Sequence, residues 1–501
     1  MAKLLGIDIG TTGTRAVLLD EGGRVLNSAS AEHAPIQSPK IGWAEQDPYD
    51  WWDAGCRAIK ACLAKSRTPA GDIAGVGLTG QMHGLVLLDA HGKVLRPSII
   101  WCDQRTDVQC SEITQRVGEK RLIALTSNPA LTNFTLPKIW WVQQHEPQIW
   151  SRVHTVLLPK DYFRYRLTGA RVIDVAEASG TLFFDVSRRE WSKPMLDLSG
   201  IRDNQLPVVL ESHEISGHVS KEGASASGLL AGTPIVAGAG DQAAGAVGMG
   251  IVRPGAVSAT IGTSGVVFAA TASPFLDPKG RIHTFCHAVP GRWHVMGVTQ
   301  AAGLSLRWFR DQFGLSGDAT RDPYDRLSDE GAKAPPGADG LLWTPYLMGE
   351  RTPHLDPQAR GALVGITAQH TRAHVIRAIL EGVAFSLRDT LTIFDELKLP
   401  VKSIRLGGGG ARGRLWQQIQ SDIYGMPVEL IEAEEGAAYG GALLAGVGVG
   451  VWPSVDTACD IAVRVAKRVE PDPERMRRME QQYAAYRRVY PALRDIYREV
   501  N

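Results

Sequence analysis

KLLGIDIGTTGTRAVLLDEGGRVLNSAS, residues 3–30, decides the fold. An apolar run, a Gly/Thr turn, a second apolar run, an acidic-Gly turn and a third run predict a β-meander. About half a chain later AVSATIGTSGVVFAATAS, residues 256–273, repeats the pattern. Its centre, Ile261-Gly262-Thr263-Ser264-Gly265, aligns with Ile9-Gly10-Thr11-Thr12-Gly13. Two like hairpins at the starts of two halves predict a duplicated domain with a ligand between the copies. Between them, strands such as IAGVGLTG alternate with helical stretches such as PYDWWDAGCRAIKACLAK, the pattern of α/β domains. The expected boundary lies near Met249 to Pro254, dividing the chain into 1–249 and 250–501.

Composition narrows the classes. A chain of 501 residues exceeds one compact core, so two large domains are the prior. A formal charge of +1 gives no electrostatic reason to expect nucleic acid or an acidic membrane. Six cysteines with no CxxC pair fit reduced thiols in a cytoplasmic protein rather than zinc or a disulfide scaffold. The uncharged, glycine-rich stretch from Gly436 to Val455 reads as a buried helix and turn rather than a membrane span. The basic run over 464–490 is interleaved with acids and reads as a solvated amphipathic helix.

VAGAGDQAAGAVGMG, residues 236–250, carries one charge, Asp241, among small uncharged neighbours. A carboxylate so placed loses hydration and needs a chemical reason to be there. In DIGTTGTR, Gly10 and Gly13 permit a tight turn whose N–H groups can face an anion. Thr11 and Thr12 add hydroxyls, Arg15 a charge partner, and Asp8 a carboxylate able to hold magnesium through water. Alone this is a plain hairpin; its echo at Gly262, Thr263 and Ser264 favours two loops clamping a polyphosphate. RLGGGGARGRLWQQIQSD, residues 405–422, brings glycines from strand to helix, a platform for a nucleobase or ribose. No GxxxxGK[ST] is present, which excludes a P-loop.

GQMHGLVLLD places Gln81 and His83 at a strand end, suited to a polyol, although a lone histidine is more often structural. WCDQR, 101–105, is either a sugar-facing aromatic and acid or a buried Trp beside an ion pair. Trp140 and Trp141 read as packing. LMGERTPHLDP, 347–357, is either a lid element or a connection. Gly238-x-Gly240-x-x-Ala243 meets a loose dinucleotide pattern, but no acid stands about twenty residues on. A non-catalytic sugar sensor is a further rival, against which Asp8 and Asp241 both argue.

Together DIGTTGTR, TIGTSG, LGGGGAR and GAGDQAAGAVG resemble the FGGY carbohydrate kinases, of the actin/Hsp70/sugar-kinase superfamily. The resemblance spans about Leu5 to Ala445. It implies two ribonuclease-H-like domains around a cleft, sugar on the 1–249 side and nucleotide on the 250–501 side. It further implies ATP and Mg2+ as cofactors and a homodimer without nucleic-acid or membrane partners. Asp241 would be the general base, Asp8 would support the metal, and Met82, His83, Asp103, Asp241 and Gln242 would meet the sugar, with Arg105 beside Asp103. Thr11, Thr12, Arg15, Gly262, Thr263, Ser264, Gly408, Gly409, Gly410 and Ala411 would hold the nucleotide. EQDPYDWW, GQMHG and GERTPH look most like members acting on D-xylulose. One departure stands out: those members carry Asp-Asn where this chain has Asp241-Gln242, the pair of glycerol-phosphorylating members. D-ribulose, L-xylulose and glycerol therefore remain alternative acceptors.

Overall fold

Three antiparallel strands form from the opening stretch: β1 (Lys3–Ile9), β2 (Gly13–Leu19) and β3 (Val25–Glu32). They belong to a computed structural model that describes residues 2–314 and 320–500. The Gly10 N–H donates to the Gly13 carbonyl at 3.1 Å and closes the first turn. β4 (Ile73–Gly80) adds to β1 in parallel. β5 (Ile215–His218) and β6 (Pro234–Val236) complete the order β5-β6-β4-β1-β2-β3, and β7 (Ala239–Gly240) also pairs with β4.

The second half repeats this construction. β8 (Ala256–Ile261) and β9 (Gly265–Thr271) form the second hairpin, β10 (His283–Cys286) and β11 (Trp293–Thr299) extend it, and β12 (Ser403–Gly408) joins β8 in parallel. β13 (Val428–Ile431) and β14 (Val465–Val469) follow, giving β10-β11-β9-β8-β12-β13-β14. Apart from β7 and β10, the two sheets match strand for strand, including the parallel central pair and an antiparallel last strand. The duplication expected from two short hairpins extends over both sheets. An antiparallel meander at the start is not the parallel βαβ entry of a dinucleotide fold, and that reading falls away.

Both faces of the first sheet are covered, so β1 and β2 are almost wholly apolar and buried. The helix Pro48–Ser66 covers one face through Trp51, Ala58 and Ile59. Asp47 caps it, accepting the Tyr49 N–H, with Pro48 at the first helical position. The glycine-rich helix Gly436–Gly448 covers the other, so the chain crosses back from the second half onto the first sheet. A Cβ on Gly6 would stand 1.8 Å from the Ala438 carbonyl oxygen, and one on Gly77 as close to that of Gly441. Backbone approaches backbone here, and only glycine permits it. The buried-helix reading of this stretch holds, and among the described residues no helix is long and apolar enough to cross a membrane. The basic run differs from expectation: it forms β14 and then two helices, Pro473–Tyr486 and Val489–Glu499. All six cysteines are free.

Candidate active site

β7 delivers Asp241. Gly240 ends that strand, and Asp241 opens the helix Asp241–Gly248, where the helix dipole favours a negative charge. Asp241 and Gln242 line a cavity of about 610 Å³ together with Asp8, which β1 supplies. The cavity walls come from the second sheet, including Ser258, Thr260 and Phe268, and from Gly408, Ala411 and Arg412 after β12. Its volume suits a cofactor-sized ligand.

Burial pushes Asp241 up to about 6, while hydrogen bonds from Gln242 pull the other way. Asp8 is pushed up to about 7, first by burial and then by the Asp241 charge, against the pull of Arg15. Asp8 and Arg15 are direct partners across β1 and β2. The Oδ1 of Asp8 is buried with no hydrogen-bond partner, and the Nε of Arg15 is likewise without one. The other end of Arg15 reaches Glu435 at 3.6 Å. Two neighbouring carboxyls, one with an orphaned oxygen, form a site that a cation would relieve. Among the described residues no cluster of three or more His, Cys, Asp or Glu could hold a metal ion by itself. Water and ligand oxygens would have to complete the shell.

The nucleotide-side residues divide. Gly408 and Ala411 line the cavity, whereas Gly409 and Gly410 do not. Gly410 packs on Ile261, where a Cβ would lie 2.6 Å from that side chain. At the two hairpin turns, Thr12, Gly262 and Thr263 are exposed and Thr11 and Ser264 partly so. The Thr11 hydroxyl accepts the Trp101 indole N–H at 2.9 Å, and the Thr11 carbonyl accepts the Gln46 amide at 2.7 Å. The second turn is braced by the helix Ala302–Phe313, whose Gly303 and Leu304 N–H groups donate to the Gly262 and Thr263 carbonyls.

Of the residues expected to meet the sugar, Met82 and His83 lie outside that cavity, with Met82 packed against Gly240. Gln81 ties their loop to the first turn, donating its amide to the Gly10 carbonyl at 3.2 Å and to Gln46 at 2.9 Å. His83 has a left-handed backbone, φ 69°. Its Nδ1 lies 2.8 Å from the Gly180 carbonyl, and burial and the Lys138 charge drive the imidazole down to about 3. A neutral ring facing a carbonyl through Nδ1 carries its proton there, leaving Nε2 as a hydrogen-bond acceptor.

Asp103 departs from the expectation of a sugar contact. It is fully buried, and its carboxylate accepts from Arg105 at 2.7 Å and from the Ala44 N–H at 2.6 Å. Arg105 also holds Glu45 at 2.7 Å and lies 3.7 Å over the Trp43 ring. The Asp103–Arg105 pair is therefore a structural clamp, whereas Trp101 is exposed rather than buried. Trp140 and Trp141 pack in the core as expected.

Sequence reasoning missed three buried charges around this loop. Lys138 donates to the carbonyls of His83 and Asn133 at 2.9 and 2.7 Å. Lys160 bridges Asp161 at 2.5 Å and Asp174 at 2.6 Å. Glu177 has both carboxyl oxygens buried without a partner, and burial raises it well above the usual range. Nothing in the local spacing announced that Lys138 would reach His83, 55 residues away, or that Lys160 would reach Asp174.

The FGGY N-terminal domain model matches residues 3–248, and the FGGY C-terminal domain model matches residues 257–449. The chain belongs to the FGGY family of carbohydrate kinases. As an FGGY kinase it is an enzyme, and ATP use comes with the family. It is 38% identical to a xylulose kinase of Bacillus subtilis over 99% of this chain and 98% of that one. It is 41% identical to a xylulose kinase of Escherichia coli over 88% of this chain and 89% of that one. The solved structure of xylulose kinase from Rhodospirillum rubrum superposes with a TM-score of 0.90 at 32% identity, covering 99% of this chain and all of that one. These likenesses carry the duplicated two-domain kinase fold across the whole chain.

Proposed function

We propose that this FGGY kinase transfers the γ-phosphoryl group of ATP to the terminal 5-hydroxyl of D-xylulose, forming D-xylulose 5-phosphate and ADP. The observation that carries the reading is Asp241. It is the carboxylate at the inner end of a cavity walled by the second sheet, and with a pKa of about 6 it is ionised at neutral pH. Asp241 orients the acceptor hydroxyl and takes its proton as the oxygen bonds to phosphorus and the β–γ bridge bond breaks. Proton removal is late in so loose a transition state, so positioning supplies most of the acceleration. The two full-length relatives named above, both xylulose kinases, support the same acceptor.

Met82 and the Nε2 of His83 form the sugar wall, with Gln242 beside the base. Thr11, Thr12, Gly262, Thr263 and Ser264 hold the phosphates, and Gly408 and Ala411 receive the adenosine. Asp8, with a buried carboxylate oxygen that has no protein partner, would support Mg2+, and that ion would neutralise phosphate charge. The boundary between sugar-side and nucleotide-side halves falls between residues 249 and 250.

ADP release from MgATP with D-xylulose, D-ribulose, L-xylulose and glycerol tests the reading. The expected result is highest kcat/KM for D-xylulose. Release independent of any sugar, or a preference for glycerol, overturns it, the latter assigning the selection to Gln242.

A further inference from the structure

We infer that Gln81 and Gln46 are positioning residues that aim the backbone N–H groups of the first turn at phosphate, Gln81 doing so from the loop that carries Met82 and His83. This rests on the reading above that the turn Gly10–Gly13 holds the phosphates of the nucleotide. In the first sheet Ile9 is the register partner of Gly80, and Gly80 is that of Gly240. Gly10, Gln81 and Asp241 therefore leave three neighbouring strand ends side by side, with Gln81 in the middle. The Gln81 N–H donates to the Ile9 carbonyl at 2.9 Å and fixes it there.

Side-chain bonds then set the turn. Gln81 donates its amide to the Gly10 carbonyl at 3.2 Å and to the Gln46 Oε1 at 2.9 Å. Gln46 donates to the Thr11 carbonyl at 2.7 Å, and its Oε1 also accepts the Trp51 indole N–H at 3.2 Å. Neither amide can be turned over. A flipped Gln46 would set N–H against the indole N–H, and a flipped Gln81 would set oxygen against the Gly10 carbonyl. In a trans peptide a carbonyl and the N–H that follows it share one plane and point opposite ways. Holding the Gly10 carbonyl therefore aims the Thr11 N–H, and holding the Thr11 carbonyl aims the Thr12 N–H. The Thr12 carbonyl is taken in turn by the His33 N–H at 3.0 Å. Among the described residues the N–H groups of Thr11 and Thr12 have no acceptor, which leaves both for an anion.

Both glutamines are buried, and the Gln81 Oε1 has no partner. An apolar side chain of similar length would fill this place without that desolvation cost. What the glutamine adds is a pair of N–H donors, and both are spent on the turn, one directly and one through Gln46.

Calorimetric binding of the β,γ-imido analogue of ATP with Mg2+, and of AMP, to the full chain, to Gln81→Glu and to Gln81→Met tests this. Gln81→Glu keeps the shape and sets an oxygen where the donors were. Affinity for the triphosphate should fall about tenfold or more in Gln81→Glu and by less in Gln81→Met, while AMP stays within about threefold of native, as loss of hydrogen bonds to charged phosphate would give. A packing role would spare Gln81→Glu or weaken both nucleotides alike, and either result overturns the inference. Should Gln81→Glu not fold, Gln46→Glu, which frees the Thr11 carbonyl, decides by the same comparison. The double variant Thr11→Ala/Thr12→Ala strips the turn of its hydroxyls and separates the two levels. If it alone loses triphosphate affinity, the inference falls and the phosphate turn stands. If it and Gln81→Glu both bind like the native protein, the phosphate turn falls as well.

Discussion

Asp8 and Asp241 share the inner end of one cavity, and the charge of Asp241 is among the causes that hold the Asp8 carboxyl near 7. Asp241 itself sits at about 6. A base works only when ionised, so kcat/KM for sugar phosphorylation should rise as pH passes through about 6 and level off above about 7. A pH–rate profile checks this. Full activity persisting to pH 5 would remove Asp241 from the role of base.

The same displacement makes Asp241 costly to the fold. Its folded pKa of about 6 exceeds its ordinary 3.8, so between those values the folded state binds the proton more tightly than the unfolded chain. Raising the pH through this window therefore removes stability, and the whole penalty is present at pH 8. It amounts to about 3 kcal/mol at most. Asp241→Asn should raise the melting temperature at pH 8, with little gain at pH 4, while turnover falls about a hundredfold or more. Thermal melts at the two pH values separate this from general destabilisation, which would lower both.

What the sequence disclosed and what it hid follow from the range of each interaction. Ile9 to Gly13 and Ile261 to Gly265 are local turns, legible because glycine and threonine sit at fixed offsets in each hairpin. From these alone the duplication could be read, while Asp241 was read from its own stretch of small uncharged neighbours; the parallel central strand pairs were not. Asp103 could not be settled that way. An acid two residues before an arginine is equally a ligand or an internal ion pair until Ala44, 59 residues away, takes its second oxygen. The crossing of Gly436–Gly448 onto β1 and β4 was hidden for a related reason. Its glycines announced close approach but not what was approached.

Lys138 shows how such a distant partner acts on the site. Its side chain is fully buried, burial draws its pKa down to about 7, and it bonds the carbonyls of His83 and Asn133. Lys138→Met keeps the bulk and leaves two buried carbonyls short of a donor, each worth about 1–3 kcal/mol. Stability should fall accordingly. The KM for sugar should rise, because the left-handed turn at His83 loses its clamp, while the KM for ATP stays near its native value. Steady-state kinetics with each substrate varied in turn would show the split. An equal rise in both constants would place Lys138 outside sugar binding.

Gly240→Ala probes the joint on which Asp241 rests. An added Cβ would lie 2.7 Å from the Met82 Cγ and 2.8 Å from a Glu177 carboxyl oxygen. Met82 is flexible and can yield; Glu177 is enclosed, with Lys160, Asp161 and Asp174 acting on it, and cannot move far. The strain therefore passes into the backbone that sets the Asp241 carboxylate, where an error of about 1 Å can cost a hundredfold in rate. The kcat of Gly240→Ala should fall by at least about tenfold. The double variant Gly240→Ala/Met82→Ala should not restore it, because the contact with Glu177 remains. Restoration of kcat by Met82→Ala would show that the methionine alone bore the clash, and that Glu177 leaves the position of the base untouched.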